Sequence, residues 1–330
     1  MPLHLNSITN DTQKAEPLAW ILQKGMDDCD SVFITEDQKY FHIRCNIMDR
    51  LSGDAIGRIV YTIMHCEKVL EIKDLDIVWN NDTPTCLQFN TLRDGSSDAN
   101  EYYEAETVGE GQHLELETVN RHVVSADILN TEREVFISAF PFELSVYADI
   151  NAFNEWAGFN RVITVADTDL KVGGFSEKFM MPGGLFNDKK KSDESYSFVV
   201  GKVVSYRDVE IAFGETVYPF VLAQVDTALG VIPVSMGREV FDLENLQVGC
   251  SVAMNADIKA DMAKDEDLLE LGAVVRCARN GSVCICTDNF VAVPLCKGGA
   301  FLDLALDGFF SLAAGGVTGI NDCIHRKSPW

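Results

Sequence analysis

The chain has 330 residues, 47% hydrophobic, 24% charged and 9% aromatic, which excludes an intrinsically disordered chain and suffices for two or three compact units. A formal charge of −24 and a pI near 4.5 surround it with a field that repels phosphate backbones and anionic membranes, so general nucleic-acid binding is disfavoured. Ten scattered cysteines, no export signal in "MPLHLNSITNDTQKAEP" and no apolar run of about 18 residues point to an intracellular, cytoplasmic protein whose thiols are free.

In chain order, "AEPLAWILQKGMDDCD" predicts a short packed helix through Leu18, Ile21 and Leu22, closed near Gly25. "SVFITEDQKYFHIRCNIM" predicts two strands joined around Glu36, Asp37 and Gln38, with Cys45 as a small core residue. From Ser52 to Leu70, Ile56, Ile59, Val60, Ile63 and Met64 recur at intervals of three and four. That spacing predicts a helix with one buried face, and the β-branched residues leave a strand open at its centre. "DLDIVWNNDTPTCLQFNTL" returns to strand chemistry, broken at Asn80, Asn81, Asp82 and Pro84.

Between Arg93 and Arg121 there is no Lys or Arg, while Asp98, Glu101, Glu104, Glu106, Glu110, Glu115 and Glu117 are acidic. The alternation of "HLELETV" predicts an edge strand with one wet acidic face. A solvated surface accounts for such a face. So does a docking surface for a basic protein, for which Glu101, Glu104 and Glu106 are the candidate partner-binding residues. "RHVVSADIL", "REVFISAF" and "FELSVYADI" follow as closely spaced strands, and "NAFNEWAGF" predicts a helix capped by Asn151 and ended at Gly158. The exposed linker is expected in "MPGGLFNDKKKSDES".

After it, "FVVGKVVSY" predicts a bent strand with a glycine inside, and "TVYPFVLAQV" and "GVIPVSM" a strand pair turned between Asp226 and Gly230. "DLENL" makes a helical turn, and "QVGCSVAMNADIKADM" a fourth strand reached through Gly249. This succession over residues 197–262 resembles the OB-fold. The resemblance implies a small, strongly bent antiparallel barrel, here with Val203, Phe220, Leu222 and Val252 expected in its core, and a family that often binds oligonucleotides or oligosaccharides. From Tyr196 to Met262 the bases are Lys202, Arg207, Arg238 and Lys259, against nine acids. That is the wrong balance for a single-strand binder and suits a protein-binding or purely architectural barrel.

Cys277, Cys284, Cys286 and Cys296 flank an Asn280-Gly281 turn and are the weak candidates for a metal, but no Cys-x-x-Cys knuckle is present. A hairpin with small buried thiols is the expectation, with no zinc, no cofactor and no structural disulfide. Glycines 315, 316 and 319 lack the lysine of a phosphate loop, and none of the six histidines lies in a metal or nucleophile motif.

The expected architecture is α+β with predominantly antiparallel β: an α+β domain over 1–190, an OB-like barrel over 196–265, and a hairpin and helix segment over 266–330. The expected function is that of a non-catalytic protein-binding or scaffold protein with an acidic surface and a basic protein as partner. The alternatives are an enzyme or small-molecule binder with an interdomain pocket and, third, an oligonucleotide binder.

Overall fold

Alternating apolar residues, rich in Val, Ile and Phe, organise almost every described element as a strand. The computed structural model describes residues 5–10, 31–34, 40–66, 69–93, 101–119, 121, 128–159, 162–165, 168–171, 173–183, 196–262, 273–276, 283–286 and 293–295. The fold class is therefore corrected from α+β to mostly β. Among the described residues the helical elements are one α-helix, α1 (Ile150–Trp156), and a 3-10 turn at Leu5–Ser7. The expected helix at 18–22, the linker around residues 184–195, most of "RHVVSADIL", and the glycines at 315–319 lie outside the described residues.

The first strands are β1 (Ser31–Ile34), β2 (Tyr40–Met48), β3 (Ala55–Cys66) and β4 (Val69–Trp79), an antiparallel sheet in that order. The β1–β2 hairpin is the one read from sequence. The helix expected over 52–70 is instead β3 and the start of β4. Ile56, Ile59, Val60, Tyr61, Thr62 and Ile63 are all buried, so the strand is covered on both faces. A strand buried on both faces loses its alternation, and intervals of three and four then arise by chance within an apolar run.

Next come β5 (Thr85–Leu92), β6 (Glu101–Thr107), β7 (His113–Val119) and β8 (Thr131–Tyr147), the last a single strand where two were expected. The helix α1 follows. Its cap is Asp149, whose carboxylate accepts from Ala152 N at 2.9 Å, not Asn151 as expected. Gly158, at φ +77°, ends it. β9 (Val162–Val165) and β10 (Thr168–Lys171) form a small hairpin, and β11 (Phe179–Pro182) precedes β12 (Ser197–Phe213), β13 (Thr216–Thr227), β14 (Gly230–Met236) and β15 (Ser251–Asp261). β16 (Ala273–Arg276), β17 (Val283–Cys286) and β18 (Val293–Leu295) make a separate antiparallel sheet. The side chains of Cys277, Cys284, Cys286 and Cys296 lie outside the described residues.

Nine strands pair in the order β11-β12-β13-β14-β8-β15-β7-β6-β5, and two further pairings, β12–β15 and β8–β5, close this sheet on itself. The result is two rings of five strands. One is β12-β13-β14-β8-β15, the other β5-β6-β7-β15-β8, and both share the antiparallel β8–β15 pair. In each ring one contact is parallel, β14 with β8 in the first and β15 with β7 in the second.

The runs β5–β8 and β12–β15 follow the same path through these rings. Both first strands carry an irregularity at the same place, between Phe89 and Thr91 in β5 and between Val203 and Ser205 in β12. Ahead of the fourth strand each run places one residue in the left-handed region, Asn130 at φ 57° and Gly249 at φ 92°. The amide of each donates to the first strand, Asn130 N to Phe89 O and Gly249 N to Val203 O. Asparagine tolerates this backbone nearly as well as glycine does.

The expected core residues of 197–262 are all buried, but in two different places. Val203 and Val252 point into the shared ring interior, with Leu87, Leu114, Ile137, Ile232 and Ile258. Phe220 and Leu222 lie outside it, in a second core that β12 and β13 build with Cys45, Ile59, Tyr61, Leu75, Ile77 and Trp79 of the four-stranded sheet. Gly201 is required where β12 passes both neighbours: a Cβ there would stand 2.6 Å from Val225 Cγ1 and 2.8 Å from Asp226 O.

Candidate functional site

Successive strand residues point to opposite faces, so the parity that puts Cys45, Leu75 and Ile77 into the second core turns Arg44, Asp74 and Asp76 the other way. There they meet Glu117 of β7 and Lys259 and Asp261 of β15. The Lys259 ammonium, 1% exposed, donates to Asp76 Oδ1 at 2.7 Å and to the Glu117 carboxylate. Arg44 pairs with Asp261 beside it. Across the sheet His42 lies opposite Thr62, and Thr62 opposite Asp74, with the Thr62 hydroxyl 3.2 Å from His42 Nδ1.

Burial, reinforced by the Asp76 charge, pushes the Asp74 carboxyl up to about 9, so it holds a proton at neutral pH. Burial works to lower the Lys259 ammonium, but attraction from Asp76, Glu117 and Asp74 outweighs it and holds the group well above its ordinary value. Asp74, Asp76 and Glu117 bring carboxylate oxygens within 4.8 Å of one another, a donor set of the kind a hard cation takes. The Lys259 ammonium already supplies the positive charge at this position. With Asp74, Asp76, Glu117 and Asp261 each at most 6% exposed, the cluster can hold protons and join two sheets, but it offers a ligand no approach.

Two concave surfaces among the described residues lie elsewhere. A cavity of about 420 Å³ is lined by Val146, Tyr147 and Ala148 at the end of β8, Ala152 of α1, and Glu244 to Gln247 ahead of β15. A smaller one, of about 180 Å³, lies between Ile8 and Thr9, the β12–β13 turn side of β13, and Glu239.

The three glutamates singled out on β6 do not share one face. Glu104 is exposed and Glu106 half-buried, 3.7 Å from His113, on the outward parity. Glu101 has the parity of buried Tyr103 and Ala105. It pairs with Arg121 at 3.0 Å and accepts from the Tyr103 hydroxyl. "HLELETV" is corrected from an edge to an interior strand, since β7 lies between β6 and β15, and Glu115 and Glu117 are buried. The basic residues absent from the stretch itself are supplied at its ends: Arg93 pairs with Glu115 and Arg121 with Glu101. The sequence signal missed here is charge placed in alternation within apolar strands, as in "KDLDIVW" and "DIKADM".

No protein-family model matches the chain, and no curated protein matches it.

Proposed function

We propose that the protein is a non-catalytic binding scaffold that engages a basic protein partner through its acidic exterior. The observation that carries this reading is a separation. Asp74 and Lys259, whose titration is strongly displaced, are sealed in the sheet junction, whereas the larger of the two cavities is lined by one carboxylate, Glu244, and the Tyr147 phenol, which burial raises, among apolar and amide side chains. A catalytic site needs the two together, in one cleft that substrate can reach.

The ring β12-β13-β14-β8-β15 is read as an OB-like barrel whose fifth strand comes from earlier in the chain. Its closure and the glycine within its first strand support that reading. Oligonucleotide binding is the weaker function for such a barrel. Tyr218, Phe220 and Leu222 of β13 are packed against the four-stranded sheet and so are withdrawn from any base. Of the four bases counted in this segment, Lys259 is buried and Arg238 is paired with Asp208 at 2.6 Å.

Affinity capture from native extract on the full chain, eluted with a salt gradient, tests the proposal. Basic proteins should be enriched and should leave as screening rises. Enrichment of only neutral or acidic proteins, retained regardless of salt, would contradict it.

A further inference from the structure

We propose that the cleft between the end of β8, α1 and the 244–247 loop is where the partner docks, and that it takes an aliphatic or aromatic side chain flanked by Lys or Arg. This rests on the binding-scaffold reading and gives that reading a location.

The apolar part of the cleft is made by Val146, Ala148, Ala152 and Leu246. Its wall is aromatic. Tyr147 lines the cavity, its ring centre 5.7 Å from that of Trp156, which follows Ala152 by one helical turn and so shares its side of α1. Trp156 is 72% exposed although it belongs to an aromatic cluster with Tyr147 and buried Phe153. Val248, 64% exposed, follows the lining residue Gln247, and exposed Val204 follows Val203, whose carbonyl accepts from Gly249 N. Large apolar side chains left in water around a concavity, with aromatic residues prominent, are the composition of an interface centre.

Charge selects the occupant. Among the described residues Glu244 is the only charged one lining the cleft, and Asp149, Glu155 and Asp242 are exposed on or beside the segments that form it. The nearest base in the strand register, among the described residues, is Lys202, which pairs with Ser251, itself opposite Tyr147. An apolar cleft with a carboxylate rim favours a cationic, amphipathic segment and repels an acidic one.

The test uses the full chain and two short synthetic peptides, a leucine pair flanked by lysines and arginines and the same pair flanked by glutamates, titrated by calorimetry against wild type, Trp156→Ala and Glu244→Gln. The basic peptide should bind wild type and the acidic one should not. Trp156→Ala should weaken binding about tenfold, as loss of an aromatic anchor does. Glu244→Gln should weaken it severalfold and flatten its salt dependence. Unchanged thermal unfolding in both variants excludes loss of fold, which is expected because both side chains are exposed.

Basic-peptide binding that neither variant alters would overturn the cleft while leaving the scaffold reading intact. No binding by the peptide, or by any partner recovered in the salt-gradient capture, would overturn both. A concentration-dependent dimer abolished by Trp156→Ala would also overturn the proposal, by making a second copy of the chain the occupant.

Discussion

Lys259 shows how one residue can be misjudged from composition. Counted along the sequence it is one of four bases on a barrel surface; in the fold it is the cation at the centre of a buried cluster, 183 residues from Asp76 in the chain. No spacing rule links positions so far apart. Removing one partner of such a set leaves charge without compensation, so Lys259→Ala should cost about 3–5 kcal/mol in urea unfolding. Asp74 makes a second prediction. Its carboxyl is raised to about 9 from an ordinary 3.8, so between those values the folded state keeps a proton that the unfolded chain releases. Stability should fall as pH rises from about 4 to about 9 and level off above. Asp74→Asn, which mimics the neutral form, should match wild type near pH 4, lack that slope, and so be the more stable of the two at neutral pH. A slope unchanged in the variant would assign it to another group.

At the scale of elements, legibility followed the number of faces buried. Hairpins with turn residues between alternating strands, β1–β2 and β13–β14, were read correctly, because their turn chemistry is local. β3 was read as a helix and β7 as an edge, because neither β12 and β13 packed over one face of β3 nor β15 beside β7 can be inferred from the strand itself. The repeated path of β5–β8 and β12–β15 was invisible for a similar reason. Its markers are a left-handed residue that is Asn130 in one run and Gly249 in the other, and a bulge fixed by pairing rather than by residue type. Gly201 gives the element-scale prediction. Gly201→Val would push a side chain into Val225 and the Asp226 carbonyl, and should destabilise the protein by about 1–3 kcal/mol or more, read as a lower unfolding midpoint. Its neighbour Lys202, exposed on the same strand, should accept Ala with little effect.

For the whole molecule, the shared β8–β15 pair means that neither ring is complete in a contiguous stretch of chain. The ring containing β12 to β15 takes its fifth strand from Thr131–Tyr147. A fragment of residues 196–265 should therefore lack dispersed amide resonances and cooperative unfolding by itself, whereas one extended to include β8 and β5 to β7 should regain both. The same interlocking explains why charge has two roles here. Carboxylates at the junction are neutralised by Lys259, Arg44 and a retained proton, and they join the four-stranded sheet to the rings. On the proposed reading, the carboxylates outside are the ones that meet a partner. The on-rate of a basic partner recovered by the capture experiment, measured against salt for wild type, the surface variant Glu104→Gln/Glu106→Gln/Glu244→Gln and Asp74→Asn, separates the two roles most directly. Slower association with a flatter salt dependence in the surface variant, and wild-type association in Asp74→Asn, is the predicted result. Binding lost in a folded Asp74→Asn protein but unchanged in the surface variant would contradict it, and would make the junction the functional site.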